Sequence, residues 1–338
     1  MNKKRVLAML LAGAMALSMT ACGGNSASTD DSSNDGGASA SGGSYKVSVI
    51  LKTLAAEYWQ YVKSGAEDYA SEHSDKVTVE VKGPSSETAF DEMQNMIETD
   101  LSSGSYDGVI ISPLQSDTAA QLVSGTKLPI VAIDTNFTAP EVKSFVGTGN
   151  EAAAKKGGEA AVEAAKAAGW TDIKCIEIAG VQGDQTNTAR MNGYKAGVEE
   201  AGGTFLSDEV QYADATADRA TTAMEAIMQT HPEGIAIICA NNDDMAMAAA
   251  RAAKGNAAYE KTIFVGFDGI QSACNAILSG EETMSVAQEA YDMGYKAVEA
   301  AVKAVNGETL EKFIDSGCSV VTKDNAQERL DKLKGYIG

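Results

Sequence analysis

Short apolar runs alternate with amphipathic stretches along most of this 338-residue chain. The runs are rich in β-branched residues, and the stretches between them carry apolar residues three and four positions apart, the spacing of a helix that buries one face. Strands are predicted at 45–51, 77–81, 108–111, 129–133, 173–178, 204–210, 235–240, 263–266 and 283–288. The intervening stretches predict helices at 59–71, 87–101, 150–168, 187–201, 217–230, 243–253 and 270–278, with a short one from 116 or 117. Repeated strand–helix units predict parallel sheets with helices on both faces.

The predicted elements fall into two similar halves. The segment 145–149 ends the first half as a crossing strand, and an alanine-rich helix from Asn150 opens the second. A helix at 293–305, a strand-like run at 320–322 and a helix at 325–333 remain, and we expect them to cross back between the halves. The fold class is therefore α/β, with two doubly wound parallel-sheet (Rossmann-like) domains joined by a multi-strand hinge. The predicted lobes are 45–148 with 289–316, and 149–288 with 317–338.

Polar side chains follow two of the predicted strands. The run FVGFDG ends in Asp268, and IAIICA runs into Asn241, Asn242, Asp243 and Asp244. Ligands of wound α/β sheets bind at the carboxyl ends of the strands, so these tips predict a polar site. The alternative for Asp268 and Asn242 is to cap the helices that follow. Asp243 and Asp244 are interpreted as first-turn acids, which the helix dipole favours.

The charge of the chain favours a small solute as the ligand. The formal net charge of −20 opposes binding of nucleic acid and other polyanions. The sequence has no GxSxG, Walker loop, GxGxxG or metal-ligand spacing, so we expect no enzyme, cofactor or metal site.

The amino terminus has the pattern of an export signal. Lys3, Lys4 and Arg5 precede the apolar run 6–17, which predicts a secretory signal peptide over 1–21. Small residues around Cys22 resemble a bacterial lipoprotein signal, in which that cysteine carries lipid; an ordinary cleaved signal and an uncleaved anchor are the alternatives. Residues 22–44 are polar and small, which predicts a flexible tether. We expect an extracytoplasmic body that is lipid-anchored to a bacterial cell membrane.

Four further cysteines are isolated in the sequence. Cys175 and Cys239 sit inside apolar strands, whereas Cys274 and Cys318 lie elsewhere. Core packing is the first interpretation, and a disulfide among the four remains open.

Eight motifs, in order and at compatible spacings, give the chain a resemblance to the ribose-type periplasmic binding proteins (type I fold), which serve sugar ABC transporters. They are TLAAEYW (53–59), DGVIISP (107–113), VAIDT (131–135), ARMNGY (189–194), THPE (230–233), NNDDMA (241–246), VGFDG (265–269) and SVAQ (285–288). The resemblance implies ligand contacts at Tyr58, Trp59, Asp134, Arg190, Asn242, Asp268 and Gln288. Aromatic faces pack on the C–H faces of a sugar, and the polar groups satisfy its hydroxyls. The alternatives are core packing for the two aromatics and a surface ion pair with Glu199 for Arg190.

Three positions depart from the pattern of ribose binders in this family. Thr135 stands where they have arginine, Ala56 where they have asparagine, and Ala215 where they have an aromatic residue. The departures put D-ribose in doubt and leave a hexose, a polyol such as inositol, or a furanosyl autoinducer as candidates.

The resemblance implies a monomeric solute-binding lipoprotein that closes on a neutral sugar and delivers it to an ABC permease. The alternative is a sensor that presents its closed form to a membrane receptor. A transcription regulator of the related fold is excluded, because no helix-turn-helix precedes Tyr45 and the chain carries an export signal.

Overall fold

The computed structural model describes residues 44–337, and this part of the chain contains two sheets with their helices. The strands are β1 (Tyr45–Ile50), β2 (Val77–Lys82), β3 (Gly108–Ile111), β4 (Ile130–Ile133), β5 (Val142–Gly147), β6 (Lys174–Ala179), β7 (Thr204–Phe205), β8 (Gln211–Tyr212), β9 (Ile237–Ala240), β10 (Ile263–Asp268), β11 (Met284–Gln288), β12 (Phe313–Asp315) and β13 (Cys318–Val321). The α-helices are α1 (Glu57–Glu72), α2 (Phe90–Ser102), α3 (Ser116–Leu122), α4 (Asn150–Ala167), α5 (Gln185–Glu200), α6 (Ala217–Thr230), α7 (Asp243–Ala253), α8 (Gln271–Ser279), α9 (Ala290–Val305) and α10 (Ala326–Ile337).

The first lobe is built on a parallel sheet in the order β12-β5-β4-β3-β1-β2. Every residue of β3 and β4 is buried, as expected for strands covered on both faces. Helices α1 and α9 pack on one face, and they approach so closely that a Cβ at Gly65 would lie 2.0 Å from the carbonyl oxygen of Tyr291. Helices α2 and α3 cover the other face.

The second lobe is built on the order β13-β11-β10-β9-β6-β7, with β8 paired to the end of β6. Its strands are parallel except β13, which runs antiparallel to β11. Helices α4 and α5 pack on one face and α6 and α7 on the other.

The polypeptide passes between the sheets after β5, after β11 and between β12 and β13. The prediction of two wound parallel-sheet lobes is confirmed. The strand predicted at 204–210 is wrong in detail, because a 3-10 turn (Ser207–Glu209) splits it into β7 and β8. Strand β12 was not predicted, since it is short, lies at a sheet edge and leaves the ring of Phe313 exposed.

The four cysteines within residues 44–337 are free thiols. Cys175 and Cys239 lie on the neighbouring strands β6 and β9, with their Sγ atoms 3.6 Å apart in the core of the second lobe. In the described part of the chain no helix combines the length and apolarity that crossing a bilayer requires. The predicted signal peptide (1–21), Cys22 and nearly all of the linker (22–44) lie outside the described residues.

Candidate functional site

A cavity lies between the lobes, where the carboxyl ends of strands from both sheets face each other. The free space, counted out to the open solvent at its mouth, is about 500 Å³. The wall is formed by Lys52, Ala56, Tyr58, Trp59, Glu87, Asp134, Gly180, Val181, Asp184, Thr186, Arg190, Ala215, Asn241, Asn242, Asp244 and Asp268. Six of the seven predicted ligand contacts are among these residues.

Asp268 ends β10 in a positive-φ conformation (φ 119°), which turns its side chain out of the strand path at the cavity wall. Its Oδ1 accepts a hydrogen bond from Gln288 Nε2 at 2.8 Å and lies 3.7 Å from Arg190 Nη1. Burial raises the pKa of Asp268 well above its usual range, although the Arg190 guanidinium opposes the shift. The capping alternative is not observed, because the amide of Ile270, the N-cap of α8, donates to Asp243 instead.

Arg190 lies on α5 and lines the cavity, and its guanidinium is held in place by neighbouring polar and aromatic groups. Its Nε donates to Asn150 Oδ1 at 2.8 Å, and its Nη1 donates to the carbonyl oxygen of Asn241 at 2.7 Å. The guanidinium also stacks 3.8 Å from the centroid of the Phe267 ring. The surface alternative is not observed, since Arg190 is only 5% exposed and Glu199 accepts from Lys195. A fixed guanidinium of this kind donates to a ligand with little loss of side-chain entropy.

Asp134 takes the matching place at the end of β4 in the first lobe, also with positive φ (61°). Its Oδ1 accepts from the Tyr58 hydroxyl at 2.8 Å and its Oδ2 from Thr135 Oγ1 at 2.9 Å. Tyr58 and Trp59 meet edge to face with centroids 5.0 Å apart, and Trp59 Nε1 donates to Glu87 Oε1 at 2.9 Å. Both rings belong to a buried apolar cluster built mainly from the first lobe, and both also line the cavity. Core packing and a place in the site therefore both describe these residues.

Two of the predicted ligand contacts, Asn242 and Gln288, have structural roles in the fold. Asn242 lines the cavity, but its Oδ1 also accepts from the Met245 amide at 2.9 Å and thereby caps α7. Gln288 is fully buried, and its amide group supports Asp268 instead of forming part of the cavity wall. Its Oε1 has no hydrogen-bond partner among residues 44–337.

Several residues of the wall were missed by sequence reasoning, chiefly Lys52, Glu87, Asp184 and Thr186. Lys52 lies two residues after the end of β1 and directly after the predicted strand 45–51, so the strand-tip argument used for Asp268 would have found it. Glu87 and Asp184 lie in loops before helices, where an acid is ordinarily a helix-start residue. Asp184 does cap α5, since its Oδ1 accepts from the Thr186 amide at 2.6 Å.

The lobes contact each other across the cavity through polar groups. The Lys52 ammonium pairs with Asp184, and both side chains are almost fully buried. Burial opposes the charge on Lys52, but Asp184, Asp134 and Glu87 together raise its pKa above the usual value. A second contact joins the hydroxyls of Thr135 and Thr186, which are 2.8 Å apart.

The wall carries more negative than positive groups. Five carboxylates, Glu87, Asp134, Asp184, Asp244 and Asp268, face two cations, Lys52 and Arg190, which gives a formal charge of −3. Burial raises the pKa of Glu87 and of Asp244. Carboxylates accept hydrogen bonds from hydroxyl groups, so this wall suits a polyhydroxylated ligand and opposes an anionic one.

Ala56 and Ala215 both line the cavity, so the two alanines that depart from the ribose-binder pattern leave space at the wall. Thr135 is fully buried and engaged with Asp134 and Thr186, and it therefore acts in the support of the wall.

The sequence matches a protein family, the periplasmic binding protein domain, over residues 47–309. The chain is 30% identical over 267 residues to the D-allose-binding periplasmic protein of Escherichia coli (strain K12), covering 76% of this chain and 83% of that protein. It is 26% identical over 283 residues to the ribose import binding protein of Bacillus subtilis (strain 168), with 82% and 88% covered.

The fold is similar to that of solved solute-binding proteins. A carbohydrate transporter protein from Agrobacterium radiobacter in complex with D-arabinose has a TM-score of 0.78 at 24% identity, covering 88% of this chain and 100% of that chain. A protein from Bacillus halodurans with bound myo-inositol has a TM-score of 0.74 at 22% identity, covering 87% of this chain and 99% of that chain.

The curated relatives are named as binding proteins, so the prediction of a binding protein and not an enzyme is confirmed. On this evidence the chain belongs to the periplasmic binding protein family.

Proposed function

We propose that this protein captures a neutral monosaccharide or related polyol between its two lobes and delivers it to an ABC transporter. The observation that carries the proposal is the composition of the cavity wall. Aromatic side chains, Tyr58 and Trp59, come from the first lobe, and the Asp134 and Asp268 carboxylates face the same cavity from opposite lobes. A sugar ring needs both kinds of surface, because its C–H faces are apolar and its rim carries hydroxyls.

The relatives support the same class of ligand. Those named above are a D-allose-binding protein and a ribose import protein, and another, 29% identical, is a D-apiose import binding protein of Paraburkholderia graminis. The space beside Ala56 and Ala215 favours a hexose or a cyclic polyol over D-ribose in this chain. The excess of carboxylates in the wall disfavours uronic acids, since the ligand carboxylate would be buried beside a wall that already carries a net negative formal charge.

The cellular setting remains part of the proposal. We infer that the chain is exported, that Cys22 carries the lipid anchor, and that the folded body acts as a monomer on a flexible tether. A sensor that presents the same closed form to a membrane receptor would use the same cleft and differ only in its partner. Covalent cross-linking in native membranes, followed by identification of the partner as a permease or a receptor, decides between the two.

A thermal-shift panel of pentoses, hexoses, inositols, uronic acids and amino acids tests the ligand class. We expect a neutral sugar or polyol to raise the melting temperature, because a ligand that binds only the native state adds about 2.7 kcal/mol at a hundredfold excess over Kd. Uronic acids should give little shift. A response confined to amino acids, or stronger for a uronic acid than for its parent hexose, would contradict the proposal.

A further inference from the structure

We propose that Glu57 is a closure latch, a positioning residue that stabilises the closed arrangement of the lobes by capping α8 from the opposite lobe. The inference rests on the proposed function, because a latch matters to a protein that closes on its ligand. Glu57 is the first residue of α1 in the first lobe, whereas α8 follows β10 in the second.

Helix α8 begins without a cap of its own. Its N-cap residue is Ile270, whose side chain offers no acceptor, and so the first amides of the helix need partners from elsewhere. The amide of Gln271 donates to Glu57 Oε1 at 2.7 Å, and the Ser272 hydroxyl donates to Glu57 Oε2. Glu57 therefore supplies across the cleft the carboxylate that an N-cap residue normally supplies locally.

The Glu57 side chain is also held in place from its own lobe. The hydroxyl of Tyr61, one turn further along α1 and only 1% exposed, donates to Glu57 Oε1 at 2.8 Å. The positive end of the α8 dipole favours a carboxylate at this position. A pre-positioned carboxylate loses little side-chain entropy when the second lobe arrives, so most of the interaction energy stabilises the closed arrangement.

Glu57 differs from the polar groups that join the lobes at the cavity wall. Lys52, Asp184 and Thr186 also cross the cleft, but they line the cavity, and changing them alters the contacts available to a ligand. Glu57 contacts the second lobe outside the cavity wall. Its contribution therefore changes the population of the closed form without changing the chemistry that recognises the ligand, and the apparent Kd scales inversely with that population.

The test compares Glu57→Gln with Glu67→Gln, an exposed glutamate on the same helix whose partner is Lys63. We titrate each variant calorimetrically with D-allose and with the panel member that gives the largest thermal shift. Glu57→Gln should weaken binding about tenfold, the equivalent of 1.4 kcal/mol, with faster dissociation. Glu67→Gln should match the wild type.

A double-mutant cycle separates a latch from a local role of Glu57 within α1. Ser272→Ala should weaken binding in the wild-type background and have almost no further effect beside Glu57→Gln, since both remove the same contact between the lobes. Additive effects, or equal affinity of Glu57→Gln and wild type, would overturn the latch while leaving the sugar proposal intact.

Failure of the wild type to bind any sugar or polyol would instead contradict the proposed function. In that case, small-angle scattering of the unliganded proteins tests without any ligand whether Glu57 stabilises the closed arrangement. A larger radius of gyration for Glu57→Gln than for wild type and Glu67→Gln supports it, and equal radii overturn it.

Discussion

The two lobes place a carboxylate at the same point of the same kind of strand, yet they surround it differently. Asp134 at the end of β4 is satisfied by two hydroxyls, from Tyr58 and Thr135. Asp268 at the end of β10 instead meets the amide of Gln288 and the guanidinium of Arg190. The first lobe thus offers an aromatic and hydroxyl-supported surface, and the second offers a charged one.

The difference extends into the cores. In the first lobe the buried Asp100 is neutralised by Lys82, whose Nζ lies 2.8 Å from its Oδ1. In the second lobe Glu177 is fully buried on β6, and its two carboxylate oxygens have no hydrogen-bond partner among residues 44–337. Burial raises the pKa of Glu177 to about 8, although the nearby Asn241 side chain and the Arg190 guanidinium oppose the shift. An acid whose pKa is raised by burial makes the fold less stable as the pH rises through the range in which the acid would ionise.

Asp243 is another buried acid of the second lobe. It lies on α7 beside Gly266, where a Cβ would fall 2.1 Å from its Oδ1 and 2.4 Å from Oε1 of Glu282. Burial raises the pKa of Asp243 to about 7 and that of Glu282 well above the usual range. Glycine is therefore required at 266 because two carboxyl groups occupy the space above it.

The largest effect is expected from Arg190→Ala, which removes the cation that orders the second lobe's wall. The substitution frees Asn150 and the Asn241 carbonyl and leaves Asp268 buried without a charged partner, which costs about 3–5 kcal/mol. Urea unfolding measures the loss, and ligand binding should vanish. Arg219→Ala, which breaks an exposed ion pair with Asp214, is the control and should cost less than about 1 kcal/mol. Similar losses for the two variants would contradict the assigned role.

A smaller, pH-dependent effect is expected from Glu177→Gln. An acid whose pKa is higher in the folded than in the unfolded state costs stability as the pH rises from the unfolded value, about 4.3, to the folded value, about 8. The variant should be close to wild type at pH 4.5 and more stable by up to a few kcal/mol near pH 8.5. Thermal melts across that range measure the difference, and a gap that narrows with rising pH would show that the carboxylate is paired.

The smallest effect is expected from Tyr58→Phe, which keeps the ring at the cavity and removes one hydroxyl from Asp134. Loss of a hydrogen bond to a carboxylate is worth about 1.5–3 kcal/mol at most, so sugar affinity should fall roughly tenfold. Tyr295→Phe removes a comparable bond to Glu72 on the outer surface of the first lobe and should leave affinity unchanged. Equal affinities for both variants would mean that the Asp134 orientation does not depend on Tyr58.

The sequence predicted most of the fold because the strand and helix periods are distinct along this chain. The apolar runs at 108–111 and 130–133 became fully buried strands, and the FVGFDG run proved to be β10 with Asp268 as its last residue. Strand β12 escaped prediction because it has only three residues, lies at the edge of the sheet and buries little of its side chains, which leaves a weak hydrophobic pattern.

The site was harder to predict, because a strand tip indicates where a side chain emerges but not what it meets. Asp268 and Asn242 both had a capping alternative, and the structure resolves them differently: Asn242 caps α7, and the start of α8 is capped by Glu57 from far along the chain. The Lys52–Asp184 pair joins residues from opposite lobes. No local pattern marks such a pair, since its partners lie 132 residues apart in the sequence.

Calorimetric titration of the neutral sugar identified by the panel into wild type, Asp134→Asn and Asp268→Asn tests the central claim most directly. The claim is that one ligand is held by acceptors from both lobes. Each substitution should then weaken binding by about 10- to 100-fold, because each replaces a carboxyl oxygen that accepts from the ligand's hydroxyls with an amide NH2 group. Wild-type affinity in either variant would contradict the two-lobed site.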